Sequence, residues 1–326
     1  MLWQPCAQVI WCAIKSTMVS DMSDDIPFER DLEFEYGAVR EVSPLLRRVI
    51  ANNPSPFTFT GTGTYVVGRG NVAVVDPGPL DEAHLAALLK ALDGETVTHI
   101  LITHTHRDHS PLAQKLKEAT GAKTYAYGPH GAGRPARTDA SGDVRLDASG
   151  DTDFVPDVTV GHGDVIEGHG WRVEGVFTPG HTSNHMAFAL AEEQALLSGD
   201  HVMAWSTSVI APPDGNMADY MASLDLVQNR EEQIYWPTHG GPVQKPRQFV
   251  RAFITHRRMR EAAIVRQLGE GRHTIPDIVK RIYSEVRPEL HPAAGMSVLA
   301  HMEHLVEQGK VVTDGAPAIG GDYRLV

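Results

Sequence analysis

Residues 101–110 read LITHTHRDHS, where the apolar segment Val97 to Ile102 runs into four potential metal ligands: His104, His106, Asp108 and His109. An extended chain alternates its side chains, so a strand rising into a turn presents His104 and His106 on one side. The turn that follows redirects Asp108 and His109 toward a second centre. Two metals are geometrically reasonable, and the chemistry this suggests is metal-dependent hydrolysis.

Three later motifs supply what the cluster lacks. TPGHTSNH holds His181, LLSGDH holds Asp200 and YWPTHGGP holds His239, each behind an apolar or aromatic run that reads as a strand. His104, His106 and His181 make a three-nitrogen site. Asp108, His109 and His239 make a mixed one, with Asp200 placed to bridge and water or hydroxide completing the set. Zinc accepts imidazole nitrogen and carboxylate oxygen in this mixture. Two zinc ions are the expected cofactors, with iron or manganese as alternatives.

THTHRDH followed by GHT, SGD and a late THG resembles the metallo-β-lactamase superfamily. The resemblance implies an α+β fold, an αββα sandwich with its metals at one edge. It carries metal roles onto His104, His106, Asp108, His109, His181, Asp200 and His239, with Asp108 and Asp200 also catalytic. Neither the number nor the spacing of ligands separates lactam, thioester, lactone and phosphodiester substrates.

The chain has 326 residues, enough for a catalytic domain and a smaller one. The expected division is an N-terminal extension over 1–29, the catalytic domain over 30–245 and a helical domain over 246–326. Cys6 and Cys12 are the only cysteines, so no disulfide framework or thiolate metal site is available. The apolar stretch Val9 to Ile14 has no basic leading region, and Lys15 interrupts it before membrane-spanning length. It reads as a frayed or misassigned start in a cytoplasmic protein with no membrane contact. Asp21 to Asp25 reads as a solvated approach to the fold.

Two Val-rich runs flank Gly68 to Asn71 and predict a hairpin within Phe57 to Pro79. In the family resemblance, Asp76 follows a strand near the metal edge and hydrogen-bonds a ligand imidazole, fixing its tautomer. Helices are predicted over Asp81 to Leu92 and Pro111 to Ala119, and Gly128 to Asp151 reads as a long surface excursion. Strands are expected at Val158 to Val165, Trp171 to Phe177, Met186 to Leu190 and Ala195 to Ser198. His162 and His169 read as surface residues. His185 could support a ligand or touch substrate. Asn216 should cap a helix whose face includes Met217, Tyr220, Met221 and Leu224. Trp205 and Tyr220 are candidate pocket walls.

From Pro246 the pattern turns helical: Gln248 to Leu268, Thr274 to Val286 and Ala293 to Gln308, then a small hairpin of VVTDG with DYRLV. This order resembles the winged-helix-like appendage of the subgroup that includes human β-lactamase-like protein two. The appendage is expected to pack beside the metal edge and limit substrate size, with His301 and His304 as ordinary surface or interface residues.

Net charge is −12, and it is unevenly distributed. From Lys245 onward there are 13 basic against 9 acidic residues; before it there are 16 against 32. An acidic catalytic part repels a long polyanion unless metals offset it. The expected reaction is hydrolysis by a metal-bound hydroxide on a small acyl ester or thioester, or on a lactone. Three alternatives stay open: a single-stranded RNA endoribonuclease, which the resemblance brings in, an iron-dependent persulfide dioxygenase, and a metal-binding protein without turnover. Single-stranded RNA is thus the alternative partner to a small ester, and a homo-oligomer is left open.

Overall fold

In the computed structural model, which describes residues 26–134 and 149–326, Tyr65, Val67, Ala73 and Val75 face one core while Val66, Val72 and Val74 face another. That alternation is the period of an extended strand, and a strand buried on both faces reads as a continuous apolar run. Cys6, Cys12, the Val9 to Ile14 stretch, the Asp21 to Asp25 run and most of the Gly128 to Asp151 excursion lie outside the described residues.

Phe28 to Arg251 form one unit. Its first sheet has seven strands in sequence order, β1 (Arg40–Glu41), β2 (Leu46–Ile50), β3 (Gly63–Val67), β4 (Asn71–Val75), β5 (Thr96–Leu101), β6 (Lys123–Ala126) and β7 (Val158–Thr159). The pairs from β1 to β4 are antiparallel and those from β4 to β7 parallel. The parallel steps need crossovers, and α1 (Glu82–Ala91) and α2 (Ala113–Thr120) provide the first two. Asp81 caps α1 by accepting from the Ala83 amide. Leu88 and Leu116 bury the inner faces of α1 and α2 against Val66, Val74 and Ile100.

The second sheet contains β8 (Val165–Gly168), β9 (Trp171–Phe177), β10 (Met186–Leu190), β11 (Ala195–Gly199) and β12 (Ile234–Pro237), in the order β12-β11-β10-β9-β8. The expected strand Val158 to Val165 is divided between the two sheets by a turn at Gly161 to Asp164, where the Gly161 amide donates to the Asp164 carboxylate. α3 (Met217–Gln228) links the parallel pair β11 and β12, and the Asn216 side chain accepts from the Asp219 amide at its start. Between the sheets, Tyr65, Val75 and Leu101 meet Met186, Phe188, Leu197 and Trp236. Each such side chain, fully buried, contributes roughly 1.5–3 kcal/mol. The C-terminal ends of β4 and β5 lie side by side because the pair is parallel, and those of β9, β11 and β12 do so because the two antiparallel steps through β10 restore the direction and β11 and β12 are parallel.

The second unit holds Ala252 to Val326, and the two units meet within α4 (Pro246–Gly269). α5 (Ile275–Ile282), α6 (His291–Glu307) and the antiparallel pair β13 (Val311–Thr313) and β14 (Tyr323–Leu325) complete it. Ile264, Ile278, Val298, Met302, Leu305 and Tyr323 share its core. α5 is shorter than the expected Thr274 to Val286: the backbone leaves the helix at Tyr283, and Arg287 is extended ahead of Pro288. His301, expected at the surface or at an interface, is 1% exposed and stands among the buried residues of α6. No helix among the described residues is long and apolar enough to cross a membrane.

Candidate metal centre

The loop after β5 is pinned from several sides. The His109 amide donates to the His106 carbonyl, the Gly78 amide to that of His109, and the Met186 amide to that of Thr103 from the opposite sheet. His181 lies between β9 and β10, Asp200 follows β11 and His239 follows β12, so all seven proposed donors converge on one edge.

Two groups form there. His104 Nε2 lies 3.1 Å from His106 Nδ1, which lies 3.1 Å from His181 Nε2. Asp108 Oδ2 lies 3.3 Å from His109 Nε2 and 3.1 Å from His239 Nε2. Asp200 Oδ2 sits between them, 3.7 Å from His181 Nε2, 3.7 Å from His109 Nε2 and 3.4 Å from His239 Nε2. Five donor residues are buried; His106 and Asp108 are half-buried and mark the open side.

Hydrogen bonds behind the ligands decide which ring nitrogen faces inward. His181 Nδ1 donates to the Val209 carbonyl at 2.6 Å, and His239 Nδ1 to that of Gly61 at 3.2 Å. His109 Nδ1 donates to Asp76 Oδ2 at 2.9 Å, and His104 Nδ1 lies 3.0 Å from the Thr103 hydroxyl, which itself donates to Asp76. These bonds leave the Nε2 lone pairs of His104, His109, His181 and His239 pointing into the centre. Asp76 also accepts from the Thr103 amide and the Thr238 hydroxyl, and it adopts φ 49° to do so.

This donor set fits a metal. The Nε2 lone pairs of His104 and His181 both face His106 Nδ1, which has at most one proton to share between them, whereas a cation among the three would satisfy all of them. His109 Nε2 and Asp200 Oδ1 are buried with no hydrogen-bond partner, each an arrangement that costs about 1–3 kcal/mol if left unmet. Burial, reinforced by the surrounding imidazoles, holds His104 well below the usual histidine range and lowers His181 to about 4. On the other side burial opposes charge, but the Asp108 and Asp200 carboxylates overcome it, raising His109 well above its usual range and His239 to about 9. Burial opposes ionisation of Asp108 and Asp200 too, yet His109 and His239 hold both well below the usual carboxylate range. One end refuses protons and the other demands positive charge, which cations at the two groups would satisfy together.

The remaining sequence candidates separate. His185 is fully buried; its Nε2 accepts from the Asp200 amide at 3.1 Å while Nδ1 donates to Thr178 Oγ1 at 2.8 Å, so it supports the Asp200 loop and does not reach the surface. Trp205 is half-buried and stacks on Phe59, ring centroids 4.9 Å apart, beside Gly240. Tyr220 is fully buried, donates to the His201 carbonyl and packs against Gly180. His162 and His169 are exposed. Sequence reasoning missed Thr103, Thr238 and Arg48, whose partners lie far along the chain; the only signal was their position within or beside strands that feed the ligand loops.

Residues 58–239 match the metallo-β-lactamase superfamily, and residues 274–320 match the β-lactamase-associated winged helix domain. A β-lactamase-like protein 2 homolog of Drosophila melanogaster is 31% identical over 288 residues, covering 84% of this chain and 92% of that protein. An atrochrysone carboxyl ACP thioesterase of Claviceps purpurea is 27% identical over 292 residues, covering 85% and 82%. The crystal structure of a β-lactamase domain protein from Burkholderia ambifaria superposes with a TM-score of 0.75 at 21% identity, covering 94% of this chain and 99% of that one.

Proposed function

The chain belongs to the metallo-β-lactamase superfamily, and from that premise we propose that it is a binuclear metal-dependent hydrolase of acyl thioesters or esters, with lactones as the close variant. The observation that carries this reading is the position of Asp200 Oδ2, within 3.7 Å of nitrogens from both donor groups. His104, His106 and His181 would hold one ion, Asp108, His109 and His239 the other, and Asp200 both, with zinc best suited to the mixture. When bound, such a pair supplies Lewis acidity and water activated near neutral pH.

The protein's own groups divide the remaining work. Asp108, with its side chain 25% exposed against 9% for Asp200, is the carboxylate open to solvent and is placed to pass a proton to it. Asp200, closed off, holds the two groups in register. The loop carrying Phe57 and Phe59 also supplies the Gly61 carbonyl to His239, and the loop carrying Trp205 and Val209 supplies the Val209 carbonyl to His181. Phe57 and Val209 are exposed, so apolar side chains stand on both loops. That surface suits an apolar acyl group better than a polyanion. A relative named as an acyl-carrier-protein thioesterase points the same way.

A panel of acyl thioesters, esters, lactones and single-stranded RNA, run with metal-loaded and chelator-stripped protein, tests the reading. The expected result is metal-dependent carbonyl hydrolysis. RNA cleavage without carbonyl hydrolysis, or oxygen consumption on a persulfide with a single iron, would overturn it.

A further inference from the structure

Arg48 lies on β2, on the face shared with Leu46, and its side chain is carried into the space between the two sheets, where it is 4% exposed. An ion there is costly unless its donors are met. Among the described residues it forms no ion pair; Nη1 instead donates to the Gly240 carbonyl at 2.5 Å and Nη2 to the Thr238 carbonyl at 2.7 Å. These two carbonyls bracket His239. The Gly63 amide donates to the same Thr238 carbonyl at 2.9 Å, and the Tyr65 hydroxyl donates to that of Pro237 at 2.8 Å. The Tyr65 ring also lies under the guanidinium, 5.2 Å from centroid to Cζ. A Cβ on residue 63 would come within 2.0 Å of Arg48 Nε, so a glycine there opens the path.

Resting on the binuclear reading above, we propose that Arg48 is a positioning residue: it fixes the backbone on both sides of His239 and thereby sets the geometry of the Asp108, His109 and His239 group. The peptide between the two carbonyls turns through Gly240 at φ 82°, and both oxygens point to one side. A planar, forked donor matches that pair; a single ammonium reaches one at a time. Fixing the His239 backbone matters because the ring is held from behind by its Nδ1 bond to Gly61, while Nε2 faces Asp108 and Asp200 in the centre itself. The other group, His104, His106 and His181, has no bond to Arg48 and is reached only through Asp76 and Asp200, so the effect falls first on the side that holds His239.

The test is zinc affinity and stoichiometry of full-length wild type, Arg48→Met, Arg48→Lys and His239→Ala, with the visible spectrum of the cobalt-loaded proteins as a second readout. Arg48→Met is expected to weaken the second metal at least about tenfold, with a changed cobalt spectrum, and to leave the first within about twofold. Arg48→Lys should fall between it and wild type, and it keeps the test available where the methionine variant does not fold. Unchanged binding of both metals in the folded variants overturns the proposal, and so does equal weakening of both, the mark of a general loss of structure. A wild type that binds no second metal, and is unaffected by His239→Ala, locates the failure in the binuclear reading itself.

Discussion

Asp76 Oδ2 accepts the Nδ1 proton of His109 at 2.9 Å, and the same carboxylate takes up Thr103 and Thr238, so one buried residue joins the loops after β4, β5 and β12. Asp76→Asn keeps the size but replaces one acceptor oxygen by a donor. Expected are a 10–100-fold loss of metal affinity or turnover and a loss of about 1–3 kcal/mol of stability from the bonds left unmet. Competition against a chelator and denaturant titration of the metal-free protein measure the two separately; wild-type values in both would show that His109 needs no such partner.

Gly180 precedes His181 with φ 134°, and a Cβ there would stand 2.4 Å from the Tyr220 backbone. Gly180→Ala must therefore push the β9–β10 loop away from α3, by a strained residue of roughly 1–3 kcal/mol. A lowered melting temperature together with weakened metal binding is expected. A variant that melts like wild type would mean the loop yields without cost.

Acid should destabilise the catalytic unit before its carboxylates protonate. Burial lowers His84 to about 4, against a usual 6.5, so between those values the unfolded chain binds the extra proton and the folded one does not. His84 thus contributes stability that is fully present above pH 6.5 and is lost as pH falls toward 4, at most about 1.4 kcal/mol per pH unit. Replacing it as His84→Gln should flatten the dependence of unfolding free energy on pH in that window. An unchanged slope would remove His84 from the account.

Trp205 stacks on Phe59 beside the turn after His239, where it would meet a substrate's acyl group. Trp205→Ala is expected to raise KM for long or aromatic acyl thioesters about tenfold, corresponding to roughly 1.4 kcal/mol of apolar contact, while acetyl thioesters change little. Equal effects on short and long substrates would argue that Trp205 only supports the loop.

Much of this was legible in the chain because the candidate donors sit at strand ends in tight local motifs. THTHRDH alone places four donors, and the alternating cores of β3 and β4 follow from period-two apolar runs. What could not be read were relations between distant segments. Arg48 looks like a solvated strand residue until β12 is set across from β2, and Tyr220 looks like a pocket residue until α3 is laid against Gly180. His301 reads from the sequence as a surface or an interface residue alike, because polar residues are normally outside, and only the packing of α6 shows that it is covered.

The central claim is that two ions share Asp200. Native mass spectrometry of the zinc-loaded protein, beside Asp200→Asn, measures it directly. Two zinc ions per wild-type chain, reduced to one or none in the folded variant, is the predicted result. A single ion in wild type, or two ions retained at wild-type affinity in Asp200→Asn, would contradict it.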